Sequence, residues 1–187
     1  RFDWFDKVKF ITCDIQMDTL KLSDIGNPAV LIHLAWGGLP NYNSLNHLDN
    51  NLISNMSFLS SMVQQGIPHI MVTGTCFEYG NVNGELSEDM PSIPDNAYSI
   101  AKNTLREWLQ LLQVENKFRL QWVRLFYMYG EGQNPNSLLA QLENALHKGD
   151  SVFNMSMGEQ LRDYLSVNEV AEKLIERLKK RMAKLRV

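Results

Sequence analysis

The sequence is poor in cysteine, lacks a long apolar run and carries no strong excess of either charge. Its two cysteines, Cys13 and Cys76, lie far apart. They are too few for a disulfide framework or a four-cysteine zinc site. The four histidines, His33, His47, His69 and His147, show no metal-ligand spacing, so no metal is expected. No stretch approaches the roughly 18 apolar residues that cross a bilayer, and no signal-peptide pattern occurs. A reducing, cytoplasmic setting is therefore the expectation. The net charge of −3 gives no nucleic-acid footprint. The one basic run, from Lys179 to Arg186, reads as a solvated helix end, where cations are favourable. There is no internal repeat and no low-complexity tract.

What is present is ordinary for a globular domain: 187 residues, 44% hydrophobic and 21% charged, enough for one sizeable core. Strand-like and helix-like segments alternate. Lys7–Asp14 is rich in β-formers. Val30–Ala35 and His69–Thr73 are short apolar runs of the kind buried on both faces of a sheet. Between them, Leu48–Gln65 has a helical period through Leu52, Met56, Leu59 and Val63. Residues 74–97, with Pro91, Pro94 and many Gly, Asn and Asp, read as loop. Tyr98–Val114 returns to helical period, Leu120–Phe126 reads as a strand and Gly130–Pro135 as loop. Ser137–His147 is helical, Ser151–Phe153 a short strand, and Val167–Lys184 a last helix with Ser166 or Asn168 as N-cap. Such alternation predicts an α/β fold with a parallel sheet, whose ligands gather at the carboxyl ends of the strands.

Four groups of residues could carry chemistry. Tyr98-Ser99-Ile100-Ala101-Lys102 places a phenol and an ammonium one helical turn apart. A nearby cation favours the phenolate and brings a phenol with a pKa of about 10 toward use as a proton donor or acceptor. Alone the pair is a weak signal, equally compatible with two surface residues. Thr73-Gly74-Thr75-Cys76-Phe77-Glu78-Tyr79-Gly80 follows a buried strand and would present hydroxyls to a ligand, or simply turn the chain. Arg124-Leu125-Phe126-Tyr127-Met128-Tyr129-Gly130-Glu131-Gly132-Gln133 runs from a strand into a glycine-rich loop, or is an ordinary strand exit. Arg162-Asp163-Tyr164 offers a guanidinium suited to phosphate oxygens, or a surface ion pair.

The order and spacing of these groups together resemble the extended short-chain dehydrogenase/reductase family, from about Asp14 to Ala171. That family includes nucleotide-sugar epimerases, dehydratases and 4-ketoreductases. The resemblance implies a Rossmann-like doubly wound sheet, a nicotinamide cofactor (NAD or NADP) and a nucleotide-sugar substrate. It implies that Tyr98 exchanges a proton with the sugar oxygen, that Lys102 supports it and holds the nicotinamide ribose, and that Thr75 bonds the reacting oxygen. It further assigns Asp14 and Ile15 to the adenine, and the backbone of Leu34, Ala35 and Trp36, with Thr73, to the dinucleotide. Asn50, or its neighbour, would lie under the cofactor, Phe126 beside the nicotinamide, and Arg162 at the sugar diphosphate. Cys76, Phe77 and Tyr127 would face the sugar.

Departures from the family pattern are equally informative. The glycine-rich pyrophosphate loop is not found, so the N-terminal βαβ unit is expected to be missing from this chain. The chain is expected to form one partial Rossmann-type domain over 1–187, with residues of about 131–164 contributing to a shortened substrate lobe. Tyr127 replaces an asparagine. Cys76-Phe77 stand where sugar 4,6-dehydratases carry an Asp-Glu pair, which removes the acid and base that water elimination requires. The stretches 73–80, 124–133 and 153–163 look most like 4-keto-6-deoxysugar reductases of surface-polysaccharide synthesis. A 4-epimerase with retained NAD, a non-catalytic binding protein and an incompetent truncated chain are the other readings. A homodimer through a four-helix bundle of the 48–65 and 98–114 helices is also implied, without membrane or nucleic-acid partners.

Overall fold

The structure, a computed structural model, describes residues 3–17, 20–159 and 161–183, the last three by backbone alone. The chain divides into two compact units at Arg124/Leu125.

In the first unit a short helix α1 (Leu22–Ile25) precedes strand β1 (Leu31–His33). A π-helical turn, His47–Leu52, leads into α2 (Ile53–Gln64), then come β2 (His69–Thr75), a 3-10 turn (Cys76–Tyr79), α3 (Ala97–Glu115) and β3 (Arg119–Leu125). The sheet order is β1-β2-β3. β1 and β2 run parallel, with Leu31 opposite Ile70 and His33 opposite Val72. That register brings the carboxyl ends of both strands to one edge. β2 is buried at every position, as expected of a central strand covered on both faces. The core joins Leu59, Met62 and Val63 of α2 to Ile70 and Val72 of β2 and to Ala101, Leu105 and Leu109 of α3. Full burial of each such Leu, Ile or Met side chain contributes about 1.5–3 kcal/mol.

The α/β class and its parallel strands match the expectation, and α3 starts and ends within one residue of the predicted helix. Asn96 caps it: its side-chain oxygen accepts from the Ser99 amide at 3.0 Å, and the Ser99 hydroxyl accepts from the Asn96 amide. Two expected strands do not form. Lys7–Asp14 is irregular chain after a 3-10 turn at Phe5–Lys7. Ser151–Phe153 is likewise irregular. Both have β-forming side chains but no ladder partner among the described residues, and pairing rather than propensity makes a strand. Conversely β2 extends two residues past the expected Thr73, so Gly74 and Thr75 belong to the strand.

Gly74 explains how it can. A side chain there would overlap the indole nitrogen of Trp122 and a carboxylate oxygen of Glu78, which meet over this position.

The second unit holds β4 (Tyr127–Tyr129), α4 (Leu138–Lys148), β5 (Tyr164–Ser166) and α5 (Val167–Ala183). β4 and β5 are parallel, pairing Tyr127 with Tyr164 and Tyr129 with Ser166. Ser166 is the N-cap of α5: its hydroxyl accepts from the Glu169 amide, while the Glu169 carboxylate accepts from the Ser166 amide. Ser137 caps α4 and Gly149, at φ +74°, ends it in the left-handed conformation.

Gly74→Ala is expected to lower stability by about 3 kcal/mol through overpacking against a buried ion cluster. Gly37→Ala, where the added carbon would meet Asn51 Oδ1 at an ordinary 3.7 Å, should be close to neutral. Urea unfolding of the two variants decides this. Equal midpoints would mean that β2 does not need its glycine.

Candidate active site

Thr75, Tyr98 and Lys102 converge in the first unit, all buried. Thr75 ends β2 and caps the 3-10 turn: its hydroxyl oxygen accepts from the Phe77 amide at 3.3 Å. The same hydroxyl donates to the Tyr98 phenol oxygen, a bond that favours the phenolate. Tyr98 occupies the first turn of α3, and its amide donates to the Tyr42 carbonyl at 2.9 Å, satisfying one of the free donors of a helix start. One turn on, Lys102 is 2% exposed. Its Nζ donates to the Thr73 carbonyl at 2.9 Å and lies 4.2 Å over the ring of Trp36.

The electrostatics differ from the simple expectation of a phenol acidified by its lysine. Burial pushes the Tyr98 phenol up to about 12, against the lowering effect of Thr75, with smaller upward contributions from Tyr42, Glu78 and Cys76. Burial also brings the Lys102 ammonium down to about 8, opposed by Glu78. Desolvation outweighs the Thr75 hydrogen bond at Tyr98 and the Glu78 charge at Lys102. At neutral pH the phenol therefore keeps its proton and the lysine its charge.

Behind this pair lies a polar network that sequence reasoning did not find. His47, fully buried, receives the Trp36 indole N–H at Nδ1 (3.1 Å) and the Asn51 amide at the same nitrogen (3.2 Å). Both partners are donors, so Nδ1 accepts and Nε2 carries the hydrogen, which goes to the Asn41 carbonyl at 2.9 Å. Asn51 also donates to the Gly37 carbonyl at 2.8 Å and accepts from Gln16. Asn55 donates to the Asn51 carbonyl and bonds the ring of His33. The available signal was the spacing: His47, Asn51 and Asn55 fall four apart on one face of the π-turn and α2, all buried. Burial lowers His33 to about 4, with Asn55 opposing and Lys102 adding to the shift.

Glu78 is the second residue that was missed. It is fully buried. Its carboxylate accepts from the Thr75 amide (2.9 Å), the Trp122 indole (3.0 Å) and Arg124 Nε (2.8 Å), with Arg106 Nε at 3.6 Å. Arg124 also reaches the Tyr79 hydroxyl and Ser92. Thr75-x-x-Glu78 is a capping box, a pattern readable in the sequence.

The remaining expected residues are placed as follows. Cys76 and Phe77 follow Thr75 in the 3-10 turn, half-buried. Cys76 raises the Tyr98 phenol, and Phe77 stands edge-on to Tyr42 at 5.0 Å. Leu34 and Ala35 are exposed at the end of β1. Asp14 is exposed and Ile15 half-buried, and an Asp14 carboxylate oxygen accepts from the Gln16 amide. Asn50 is exposed and donates to Asn46, whereas its neighbour Asn51 is the one turned to the end of β1. Phe126, Tyr127 and Arg162 belong to the second unit. There the Arg162 guanidinium lies 4.4 Å over the Tyr127 ring, which is 5.5 Å from Tyr164. Among the described residues no group of His, Cys, Asp and Glu could hold a metal ion, and no helix is long and apolar enough to cross a membrane.

The Lys102 ammonium has three N–H donors. One goes to Thr73 and the Trp36 face accommodates another, which leaves donor capacity for a ligand hydroxyl. The exposed end of β1 beside it provides backbone and apolar surface. These features suit a ribose-containing cofactor.

Comparisons with known proteins agree with this chemistry. The model of the NAD dependent epimerase/dehydratase family matches residues 2–184. The chain is 32% identical over 159 residues to dTDP-6-deoxy-L-talose 4-dehydrogenase (NAD(+)) of Aggregatibacter actinomycetemcomitans, covering 84% of this chain and 58% of that protein. It is 28% identical to GDP-6-deoxy-D-talose 4-dehydrogenase of the same organism, covering 78% and 50%. The chain thus spans about half the length of the curated relatives it matches. Among solved structures, an NAD-dependent NDP-hexosamine 5,6-dehydratase of tunicamycin biosynthesis aligns with a TM-score of 0.72 at 26% identity, over 86% of this chain and 54% of that one. UDP-glucuronic acid 4-epimerase from Bacillus cereus, with UDP-glucuronic acid and NAD, aligns at 0.77 and 21% identity, over 91% and 55%, a likeness of Rossmann-like fold alone. The chain belongs to the NAD-dependent epimerase/dehydratase family.

Proposed function

We propose that this chain is the catalytic part of a nicotinamide-dependent oxidoreductase acting at C4 of a nucleotide-linked 6-deoxysugar, working as a 4-ketoreductase in cytoplasmic deoxysugar synthesis for surface polysaccharide. The convergence of Thr75, Tyr98 and Lys102 carries the reading. The two curated relatives, both named as 6-deoxytalose 4-dehydrogenases, direct it to C4. Reduction is the reverse of that dehydrogenation at the same carbon. The relative named for NAD(+) favours NAD over NADP.

A bound nicotinamide supplies the hydride. The chain's own residues do the rest. The Thr75 hydroxyl and the Tyr98 phenol meet, and when a carbonyl oxygen is set between them the Thr75 hydrogen turns from the phenol to it, so that both polarise it. Tyr98, protonated at neutral pH, then donates its proton to that oxygen as it gains charge. Lys102 holds a ribose hydroxyl and stabilises the phenolate left behind. Cys76 and Phe77 bear no carboxylate, so nothing at their positions could eliminate water from the sugar. In the second unit Arg162, flattened on Tyr127, is the proposed diphosphate ligand, with residues of about 131–164 forming part of a substrate lobe. The exposed Leu111 and Val114 of α3 and Ile53 of α2 fit a homodimer bundle on the same reading.

The experiment is reduction of nucleotide 4-keto-6-deoxysugars by the full-length protein with NADH. Tyr98→Phe should lower kcat by about 10²–10⁴. Thr75→Val should lower it by about 10² with little change in KM. No turnover of any 4-keto sugar by the wild-type protein would overturn the reading. NAD that stays tightly bound and is regenerated each cycle would make the protein an epimerase.

Lys102 should also trade stability for function. Its value of about 8 in the fold lies below its ordinary 10.5. The penalty for burying the charge is therefore complete below about pH 8 and fades as pH rises toward 10.5. Lys102→Met is expected to abolish turnover yet stabilise the fold at pH 7 by on the order of 2–3 kcal/mol. The gain should vanish by about pH 10.5. Thermal melts at pH 7 and 10 measure it, and a less stable variant at pH 7 would show the ammonium to be held at net profit by its partners.

A further inference from the structure

The polar network behind the site includes an aromatic support for the lysine. Trp36 lies beneath the ammonium at 4.2 Å and edge-on to the Tyr98 ring at 6.0 Å. An indole is the best of the aromatic faces for a cation, and its attraction grows when the pair is desolvated, as at a lysine only 2% exposed. The ring's plane is fixed from behind by its N–H bond to His47 Nδ1. His47 in turn is held by Asn51 and by the Asn41 carbonyl. It stacks on Trp36 at 6.2 Å and contacts the Tyr98 ring at 5.4 Å. One imidazole thus clamps both ends of the loop 36–47. That same loop supplies the Tyr42 carbonyl to the Tyr98 amide.

We propose that Trp36 is a positioning residue for Lys102, its indole face holding the ammonium between α3 and the Thr73 carbonyl, and that His47 is the residue that fixes the indole. The proposal rests on the reading of Lys102 as the partner of the catalytic phenol. It adds to that reading a role for the Trp36 side chain rather than its backbone.

The groups facing Lys102 are Glu78 from the 3-10 turn, His33 from β1, the Thr73 carbonyl of β2 and Trp36, with Tyr98 one turn back on its own helix. Glu78 and Trp36 both favour the charged lysine, whereas burial and any charge on His33 oppose it. Glu78 is shared with Arg124 and Arg106. Removing the indole face should therefore make the ammonium easier to deprotonate.

The test is NMR titration of the full-length protein labelled with 13Cε-lysine, the Lys102 signal being identified by its loss in Lys102→Met. Trp36→Leu is expected to lower the Lys102 midpoint by about one pH unit. The alkaline limb of the kcat profile should move down by the same amount, with KM for the sugar little changed. His47→Leu should shift the midpoint in the same direction. His47→Gln should preserve it, since a carboxamide can accept from the indole and donate to Asn41. Should Trp36→Leu fail to fold, Trp36→Phe keeps a ring but loses the bond to His47. Its midpoint should fall by less, and adding His47→Leu should change it no further. An unmoved midpoint in the Trp36 variants overturns the proposal. So does a raised one, which would mean that the indole only excludes water. The titration does not depend on turnover. A Tyr98→Phe protein with undiminished kcat would remove the catalytic reading while leaving this result to stand or fall alone.

Discussion

A single charge buried in the sheet edge organises the first unit. Lys102 has been taken almost wholly out of water, and an isolated ammonium in such a place would lose its proton or unfold its surroundings. The fold offsets that cost from three directions: a backbone carbonyl at Thr73, the face of Trp36 and the field of Glu78. Each of these requires something else. The Thr73 carbonyl lies one residue beyond Val72, the last position that β1 pairs. Trp36 lies flat because His47 holds its nitrogen. Glu78 can be present only because Gly74 leaves room for it beside Trp122.

Glu78 does more than lend its field. Its carboxylate receives the Thr75 amide and so fixes the residue whose hydroxyl meets the phenol. It carries two guanidiniums and an indole as well, with full burial. A buried ion pair of this sort is poor proof of stability, because desolvation of both charges can equal their attraction. What it does secure is geometry. Arg124 ties the same carboxylate to Tyr79 and Ser92. The turn after β2 and the chain near Ser92, expected only as loop, are thereby held together.

Sequence and structure agree where the physics is local. The period of α3, the i to i+4 spacing of Tyr98 and Lys102 and the parallel α/β order follow from patterns a few residues long. The strand expected at Lys7–Asp14 fails because a ladder needs a partner that no local pattern reveals. The network of His47, Asn51 and Asn55 was hidden for a different reason. Its members look like ordinary polar residues of a helix, and nothing local shows that their face is the buried one. The capping box Thr75-x-x-Glu78 was readable, but the burial of its glutamate was not, because its two arginines lie 28 and 46 positions further along. Tyr127 gains sense only in three dimensions, where its ring becomes the bed for Arg162.

The direction of the two pKa changes bears on how such a site could work. Burial moves both groups toward their neutral forms, the phenol to about 12 and the ammonium to about 8. At neutral pH the phenol is neutral while the lysine remains charged and lacks a carboxylate of its own, since Glu78 is committed to Arg124 and Arg106. The resting site therefore holds an incompletely balanced cation in a low dielectric. When Tyr98 gives up its proton, the phenolate appears one helical turn from that cation, and the imbalance is relieved. On the proposed mechanism, the attraction between the two is strongest after proton transfer and weakest before it. An interaction that grows along the reaction lowers the barrier, whereas one equally strong at the start would not. The aromatic floor under Lys102 suits that arrangement better than a second carboxylate would. It keeps the lysine charged and in place without neutralising it, and so leaves its field to act on the phenol.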